Sequence, residues 1–372
     1  MVIFSIAMVI TGVTADPNSS SPPTTSTSSI LSSPVGTVTG ALILSVAFVL
    51  GIPGNLFVIW SVVARTKRQS VTATLILNLA CADGMLMLLT PFFIVYLVQR
   101  TWIFGLIMCK VLYYFCCANM YASIFLITLM SLHRLVAVVW PQHLAAVSTR
   151  STVVRMLVLV WVLALALAVP VPVFRDIKVI NNRTVCDCLH SKPKYVVMQY
   201  SMETVLGFLL PYSLILLSYT QVLLKIRRTR FQRRIRSEKL ILIIVITFAF
   251  FWLPYHVVNM LQVSEELVVS VGGKIHDMRT LLRPFAAAVA FVSSCINPIL
   301  YTCVGKQYMR RAGLAFMARL FDATGGDSAS RKSQNQQHKT EENEGLREKE
   351  SETSTSVNTS INIKAMQVQN GK

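Results

Sequence analysis

The sequence is short of charge, and of acidic charge above all. Charged residues make up only 14% of the 372 residues, and 17 acidic side chains stand against 35 Lys and Arg. A soluble domain carries about 25% charged residues, so a water-soluble globular protein is excluded. The net charge of +18 does not indicate nucleic-acid binding, because the basic residues lie in short clusters between long apolar runs.

Motifs of catalysis are missing too. The chain has no glycine-rich phosphate loop, no nucleophile elbow and no His-Glu-x-x-His zinc motif. An enzyme is therefore not expected.

Long apolar runs are what the sequence has instead. A helix needs about 20 apolar residues to cross a bilayer, and seven runs reach that length. Strands of a membrane barrel alternate over about 10 residues, which these runs do not. The predicted fold is an all-α membrane protein, a seven-transmembrane helix bundle whose spans 1 to 7 are residues 35–64, 71–99, 106–139, 152–173, 195–226, 240–263 and 282–304.

Clusters of basic residues predict the orientation of the bundle in the membrane. Lys and Arg concentrate in cytoplasmic loops, and here they concentrate after span 1 and between Lys225 and Lys239 after span 5. The N-terminus is then extracellular and the C-terminus cytoplasmic, in a multi-pass protein of the plasma membrane. The basic connection after span 5 can also meet anionic lipid at the inner surface.

Both ends of the chain are expected to lie outside the bundle. Residues 1–34 form an extracellular tail, of which residues 1–15 are either a cleaved signal peptide or a retained segment. Asn18 and Asn182 begin glycosylation triplets. Residues 322–372 are polar and rich in Ser and Thr, and such a composition predicts a disordered cytoplasmic tail.

Four polar residues lie deep within the apolar runs. They are Asn55, Asp83, Ser123 and Asn297, and an acid at mid-bilayer is costly enough to indicate a function. If the helices converge, these residues form a polar cluster that holds water or a cation, sodium at Asp83. The alternative, which does not exclude the first, is a hydrogen-bond network that only fixes helix register. No other cofactor and no other metal is expected.

Seven motifs lie in a fixed order along the spans. They are Gly54-Asn55, Leu79-Ala80-x-Ala82-Asp83, Arg134, Trp161, Pro211, Trp252-Leu253-Pro254 and Asn297-Pro298-x-x-Tyr301. Together they resemble the motifs of the rhodopsin-like (class A) G-protein-coupled receptors. This resemblance covers residues 35 to 321 and implies an amphipathic eighth helix at 305–321, held on the membrane by apolar side chains. Residues 101–105, 120–123, 206–211 and 251–259 carry a narrower resemblance, to the leukotriene B4 receptors.

The resemblance implies a switch at the cytoplasmic face. Arg134 would meet the α subunit of a heterotrimeric G protein of the Gi or Gq type, while Tyr219, Asn297, Pro298 and Tyr301 rearrange. His133 stands where the family usually has Asp or Glu, and we expect it to be solvated. Receptor kinases and arrestin would act at the Ser/Thr-rich tail.

The resemblance also implies a disulfide between Cys109, at the outer end of span 3, and Cys186 in the following outer loop. A disulfide between Cys109 and Cys188 remains the alternative pairing.

Two arginines at the outer ends of the spans point to an acidic ligand. Arg175 and Arg283 suit a carboxylate, although either side chain can instead snorkel to the interface. A monoamine is disfavoured, because Cys116 stands where amine receptors of the family have Asp. Glu203, His256, Asn259 and Tyr121 suit hydroxyls, with Trp252 at the deep end, and Tyr113 stands where mammalian leukotriene B4 receptors carry His.

The expected function is therefore a receptor for leukotriene B4 or a similar hydroxylated fatty acid, acting in chemotaxis and inflammation. The resemblance assigns ligand contact to Arg175, Tyr121, Glu203, Asn259 and Arg283. A peptide chemoattractant or another oxidised lipid is the alternative within the family. A seven-span transporter is the alternative from a different class, although span 7 has no Lys to carry a chromophore.

Overall fold

The structure is a computed structural model that describes residues 34–65, 70–180, 182–229, 235–267 and 272–312. Several expectations lie outside these residues: the signal peptide, Asn18, the cytoplasmic tail and residues 313–321 of the eighth helix. The side chain of Tyr301 also lies outside the described part.

Seven helices of the described chain are long and apolar enough to cross a membrane, which confirms the predicted bundle. Short turns at Pro141–His143 and Leu144–Val147 join spans 3 and 4. The spans are Pro34–Arg65; Val71–Gln99; Gly105–Val139; Arg150–Ala168 with Pro170–Phe174; Pro193–Thr204, Val205–Leu209 and Leu210–Thr229; Ile235–Leu267; and Gly272–Ala312.

Hydroxyl side chains start two of the helices. Ser70 precedes span 2 and accepts a hydrogen bond from the backbone N–H of Ala73 at 3.2 Å. Thr149 does the same before span 4 for Thr152 at 3.3 Å. These caps satisfy N–H groups that have no partner within the helix, so both helices begin where the sequence turns from polar to apolar.

Prolines shape the spans without ending most of them. Pro53, Pro91, Pro254 and Pro298 lie inside continuous helices. Span 5 differs, because Val205–Leu209 form one wide π-helical turn just before Pro211. Proline has no N–H for the carbonyl four residues back, so the helix is weakened at the place where this turn occurs.

Spans 1 and 7 approach closely because a glycine lies between them. A methyl group on Gly54 would lie 3.0 Å from Cβ of Pro298. Residues this small let two helix backbones meet inside a bilayer.

Span 3 is the most enclosed of the seven, because 67% of its most apolar 18-residue stretch is buried. Its side chains form the central core with spans 2, 5 and 6, where Leu75, Ile124, Ile215 and Phe248 are buried. Large apolar side chains such as Leu42, Val158, Leu217 and Phe250 are exposed on the outside. Such a surface is expected where a bundle faces lipid.

A two-stranded antiparallel hairpin covers the outer end of the bundle. Strands β1 (Arg175–Ile180) and β2 (Arg183–Cys188) pair with Arg175 opposite Cys188 and Ile177 opposite Cys186. A Cys109–Cys186 disulfide joins β2 to span 3 and leaves Cys188 as a free thiol, as the resemblance implied. The backbone N–H of Trp102 donates to the Thr184 carbonyl at 2.7 Å. This second contact also holds the hairpin against the bundle. These two strands were not predicted from the sequence.

The last helix is longer than expected. It begins at Gly272, ten residues before the predicted start at 282, and runs on without a break to Ala312. Residues 272–281 are mostly polar, so hydropathy did not mark them as part of the helix. A separate eighth helix stays a prediction, because the described residues stop within 305–321.

Candidate ligand-binding site

Arg175 lies at the foot of the hairpin, over the outer end of span 3. Its guanidinium carbon is 3.7 Å from the centre of the Tyr113 ring, and Nη1 donates to the Cys186 carbonyl at 3.4 Å. Nε is buried and has no hydrogen-bond partner among the described residues. Arg175 and Tyr113 are thus brought together, and the guanidinium keeps one donor for another group.

Electrostatics keep Arg175 charged. Burial lowers the pKa of its guanidinium, but attraction to the Cys188 thiol, Tyr113, Tyr200 and Asp187 outweighs burial and raises the pKa overall. For Asp187, burial raises the pKa, while a hydrogen bond and attraction from Lys178, followed by Arg175, lower it below its ordinary value. The hairpin therefore carries an exposed ion pair between Lys178 and Asp187, while the Arg175 guanidinium faces the bundle.

Glu203 is the centre of a buried network between spans 5 and 6. Its side chain is only 1% exposed. Oε1 accepts from Gln199 Nε2 at 2.9 Å, and Oε2 accepts from the Tyr255 hydroxyl at 2.9 Å and from Asn259 Nδ2 at 3.2 Å. His190 in turn donates to Gln199 at 2.9 Å. The carboxylate thus ties the two spans together.

Arg283 extends this network to span 7. Nη1 donates to Asn259 Oδ1 at 3.3 Å and Nη2 to Gln262 Oε1 at 3.1 Å. The guanidinium lies 4.9 Å from the centre of the Tyr200 ring, and Nε is buried without a partner in the described structure. Arg283 therefore reaches Glu203 only through Asn259. Tyr200 lies within electrostatic reach of both Arg283 and Arg175, so the two arginines flank one region.

Below this network lie polar atoms that the described residues leave unpaired. Both nitrogens of His256 are buried and unpaired within the described chain, and so are the hydroxyls of Tyr121 and Thr204. They converge on span 5, because His256 stacks on Phe208 at 4.8 Å and Tyr121 borders Gly207. An unpaired buried polar group is costly, so these atoms indicate a bound polar group.

Trp252 closes the lower end of this region. Its ring centre is 6.3 Å from that of His256 and 5.7 Å from that of Phe248. The indole N–H donates to Ser293 Oγ in span 7 at 3.1 Å. Trp252 therefore presents an apolar ring to the region above it while its one polar atom is satisfied.

An ion-paired cluster joins the outer ends of span 6 and of the last helix. Glu265 accepts from Arg279 Nε at 2.7 Å and lies 2.7 Å from His276 Nδ1. Both oxygens of Glu265 are therefore engaged by neighbouring side chains, which leaves neither of them for a cationic peptide.

The polar residues at mid-bundle converge as the sequence analysis expected. Asn297 Nδ2 donates to Asp83 Oδ2 at 2.8 Å, and Asn55 Nδ2 donates to the carbonyls of Gly51 and Ser294 at 3.0 Å. Ser123 Oγ and Asn119 Oδ1 are buried without a partner in the part that is described, and the Asn119 side chain also lies within reach of the Asp83 carboxylate. The structure thus combines one carboxylate with several unsatisfied oxygens.

The cytoplasmic residues differ from expectation at one position. His133 is buried, and Nε2 lies 3.2 Å from Ser148 Oγ in the loop after span 3; it is not solvated as expected. Arg134 and Tyr219 are buried as well. At the hairpin turn, Asn182 is exposed and has a left-handed backbone with φ of 60°.

Sequence reasoning missed several members of these clusters. Gln199 and Gln262 each lie between two apolar or aromatic residues, and neither amide was weighed as a buried group. Asn119 precedes Ser123 by one turn of an apolar helix, and this spacing was a signal that went unused.

Comparison with known proteins decides between the remaining interpretations. Residues 54–301 match the family model for the 7 transmembrane receptor (rhodopsin family). The chain belongs to this family. It is therefore a multi-pass membrane receptor of the G-protein-coupled class and not an enzyme, and the transporter alternative is excluded.

Three relatives of the receptor cover most of its length. Leukotriene B4 receptor 1 of Homo sapiens is 37% identical over 292 residues, which are 78% of this chain and 83% of that protein. Leukotriene B4 receptor 2 of Homo sapiens is 36% identical over 303 residues, 80% of this chain and 84% of that protein. The C3a anaphylatoxin chemotactic receptor of Oncorhynchus mykiss is 33% identical over 297 residues, with coverages of 77% and 78%.

Proposed function

We propose that this receptor binds leukotriene B4 or a closely similar hydroxylated fatty acid and signals in chemotaxis and inflammation. One observation carries the proposal. Two guanidiniums, each beside a Tyr ring, keep a buried Nε at the outer end of the bundle that pairs with none of the described residues. Bidentate pairing with a carboxylate is what such groups favour.

The region below suits the rest of such a lipid. His256, Tyr121 and Thr204 offer unpaired polar atoms to hydroxyls, and the Trp252 ring offers an apolar surface to the chain. Glu203 acts by holding Asn259 and Tyr255 in place, and Tyr113 acts by supporting Arg175. A cationic peptide is less well served, because Glu265 is engaged by Arg279 and His276.

The same proposal includes the cytoplasmic and outer faces. The receptor would lie in the plasma membrane with its N-terminus outside and its exposed Asn182 glycosylated. Arg134 would meet a Gi- or Gq-type G protein, with His133, Tyr219, Asn297, Pro298 and Tyr301 as parts of the switch. Receptor kinases and arrestin would act at the tail.

Asp83 and its neighbours fit a sodium ion. The unsatisfied Ser123 hydroxyl and Asn119 amide supply hard oxygen donors beside the carboxylate, and Asn297 holds that carboxylate in place. We propose that these residues would hold the ion, which would supply a positive charge between spans 2, 3 and 7.

Removing both arginines tests the ligand proposal. In Arg175→Ala/Arg283→Ala the lipid carboxylate has no guanidinium partner, which costs about 2–5 kcal/mol. The dissociation constant should therefore rise by roughly 30-fold to several thousand-fold, measured with radiolabelled lipid and with calcium or cAMP responses. Lys194→Ala removes an exposed cation near the same end and serves as the matched control. An unchanged lipid response in the double variant would refute this site.

A further inference from the structure

Three free thiols surround Arg175, and the proposed binding of a fatty acid gives none of them a role. Cys188 lies directly opposite Arg175 in the hairpin, and side chains of directly opposed residues share one face, with Cβ atoms about 5 Å apart. Cys116 and Cys117 lie one turn below Tyr113 on span 3, and the Tyr113 ring is the one that Arg175 covers. All three cysteines are free and partly buried.

The thiols form one cluster around the guanidinium. Cys188 lies within electrostatic reach of Arg175, Tyr113 and Cys117, and Cys116 lies within reach of Arg175 and Cys117. Cys188 differs from the other two because it lies on the outer hairpin, where water and ligand arrive. Among the three, it is therefore the thiol that an entering acid meets first.

We propose that Cys188 is a covalent capture site for acidic lipids that carry an α,β-unsaturated ketone. This inference rests on the proposed binding of a fatty-acid carboxylate at the arginines. A hydroxyl of a polyunsaturated acid becomes such a ketone when it is oxidised beside a double bond. Since Cys188 adjoins Arg175, the reactive double bond must lie within a few carbons of the carboxylate.

The step balances without any further reactant. The Cys188 sulfur attacks the β-carbon, a C–S bond forms and the C=C π bond breaks, which places its electron pair on an enolate. The proton given up by the thiol returns to the α-carbon. The product is a thioether with a saturated ketone. Cys188 lies directly opposite Arg175, so a carboxylate held by that guanidinium makes the reaction effectively intramolecular.

Alkyne-tagged probes on the full-length receptor in cell membranes test this site. The main probe is a 20-carbon acid with the enone near the carboxylate; its controls are the isomer with the enone near the tail and the methyl ester of the main probe. Mass spectrometry of wild-type receptor should find the adduct on Cys188. Both control probes should label at least about tenfold more slowly. Arg175 holds the isomer with its enone away from Cys188, and it has no carboxylate by which to hold the methyl ester.

Two variants complete the experiment. Cys188→Ser should lose the label and make the response to the enone reversible on washing, with surface expression measured in parallel. Cys81→Ser removes an exposed thiol of span 2. This variant should keep both the label and the response that persists on washing. An adduct on Cys81, Cys116 or Cys117 in place of Cys188, or equal labelling by the methyl ester, overturns the proposal. Because the wild-type adduct is located directly, this result does not depend on how the variants fold.

The failure of the proposed function gives a different result. A hydroxylated acid without an enone tests that function through its reversible response in the wild-type receptor. If that response occurs and Cys188 stays unmodified, only the covalent inference falls.

Discussion

Glu203 is a carboxylate buried between two spans, and in the described part of the chain its three donors are all neutral. Arg283 reaches it only through Asn259. Buried charges are normally paired or fully hydrogen-bonded, and here the second solution applies. Each donor is thereby fixed in direction, which sets the positions of Tyr255 and Asn259 at the proposed site.

Glu203→Gln tests this role. A carboxamide turns an NH2 group toward one of the donors, so that at least one buried donor faces another donor. Such a mismatch costs about 1–3 kcal/mol, and the melting temperature of the detergent-purified receptor should fall. Glu266→Gln, at the outer end of span 6, is the control and should leave that temperature unchanged. Equal melting temperatures for Glu203→Gln and wild type would contradict the network's structural role.

Single residues were predictable where their chemistry conflicts with their surroundings. Asp83 and Asn297 stood out as polar groups within apolar runs, and Glu203 stood out as a group suited to a ligand hydroxyl. The structure places each of the three in a polar cluster. Gln199, in the first turns of span 5, and His190, in the loop before it, did not stand out, because a single polar group near the outer end of a span is ordinarily solvated. Tertiary packing buries Gln199 and partly buries His190, which sequence alone does not show.

Among whole elements, span boundaries were predictable where hydropathy changes sharply. Span 2 begins at Val71 and ends at Gln99 as predicted, since Ser70 caps it and Arg100 ends it in a left-handed conformation. The start of the last helix and the wide turn of span 5 were not predictable from hydropathy. The start of the last helix lies in polar sequence. The wide turn of span 5 lies where that span meets Met120 and Tyr121 of span 3.

Close contact between spans 1 and 7 leads to a prediction for Gly54→Ala. The new methyl group would lie 3.0 and 3.1 Å from two ring carbons of Pro298, and a proline ring cannot turn aside. Overpacking of this kind costs about 1–3 kcal/mol, so thermal stability should fall. Gly84→Ala is the matched control, because its nearest contact is an ordinary 3.8 Å to Asn55. Equal stability of the two variants would show that the helices separate without cost.

At the scale of the whole molecule, the polar cluster at Asp83 and the outer site lie along the same bundle. Two ligands of one protein affect each other reciprocally if each favours a different arrangement of the helices. Spans 3 and 7 contribute residues to both sites, Ser123 and Tyr121 from one and Asn297 and Arg283 from the other. These spans are the physical connection through which such coupling would act.

Sodium should therefore lower the affinity for agonist. Replacing choline by sodium at constant ionic strength should weaken agonist binding several-fold, within the usual 5- to 150-fold range of allosteric coupling. Asp83→Asn removes the carboxylate and should abolish the difference, as measured by displacement of labelled agonist. A wild-type receptor that binds equally in both salts would leave the cluster with a structural role only.

The fold class was predictable from the sequence as a whole, since seven long apolar runs allow few arrangements. The hairpin over the outer end was not, because strand pairing in a loop depends on the Cys109–Cys186 link and on the Trp102 contact with Thr184. Both join segments far apart in the chain.

Asn259 has one further consequence, because its amide is shared between Arg283 and Glu203. A headgroup that draws Arg283 away leaves the amide oxygen unbound while its nitrogen still holds the carboxylate. The contacts between spans 5 and 6 then change before any part of the ligand has reached Trp252. Efficacy would thus be separable from affinity by altering the acid alone, so that a neutral amide analogue with an unaltered hydrocarbon becomes a partial agonist.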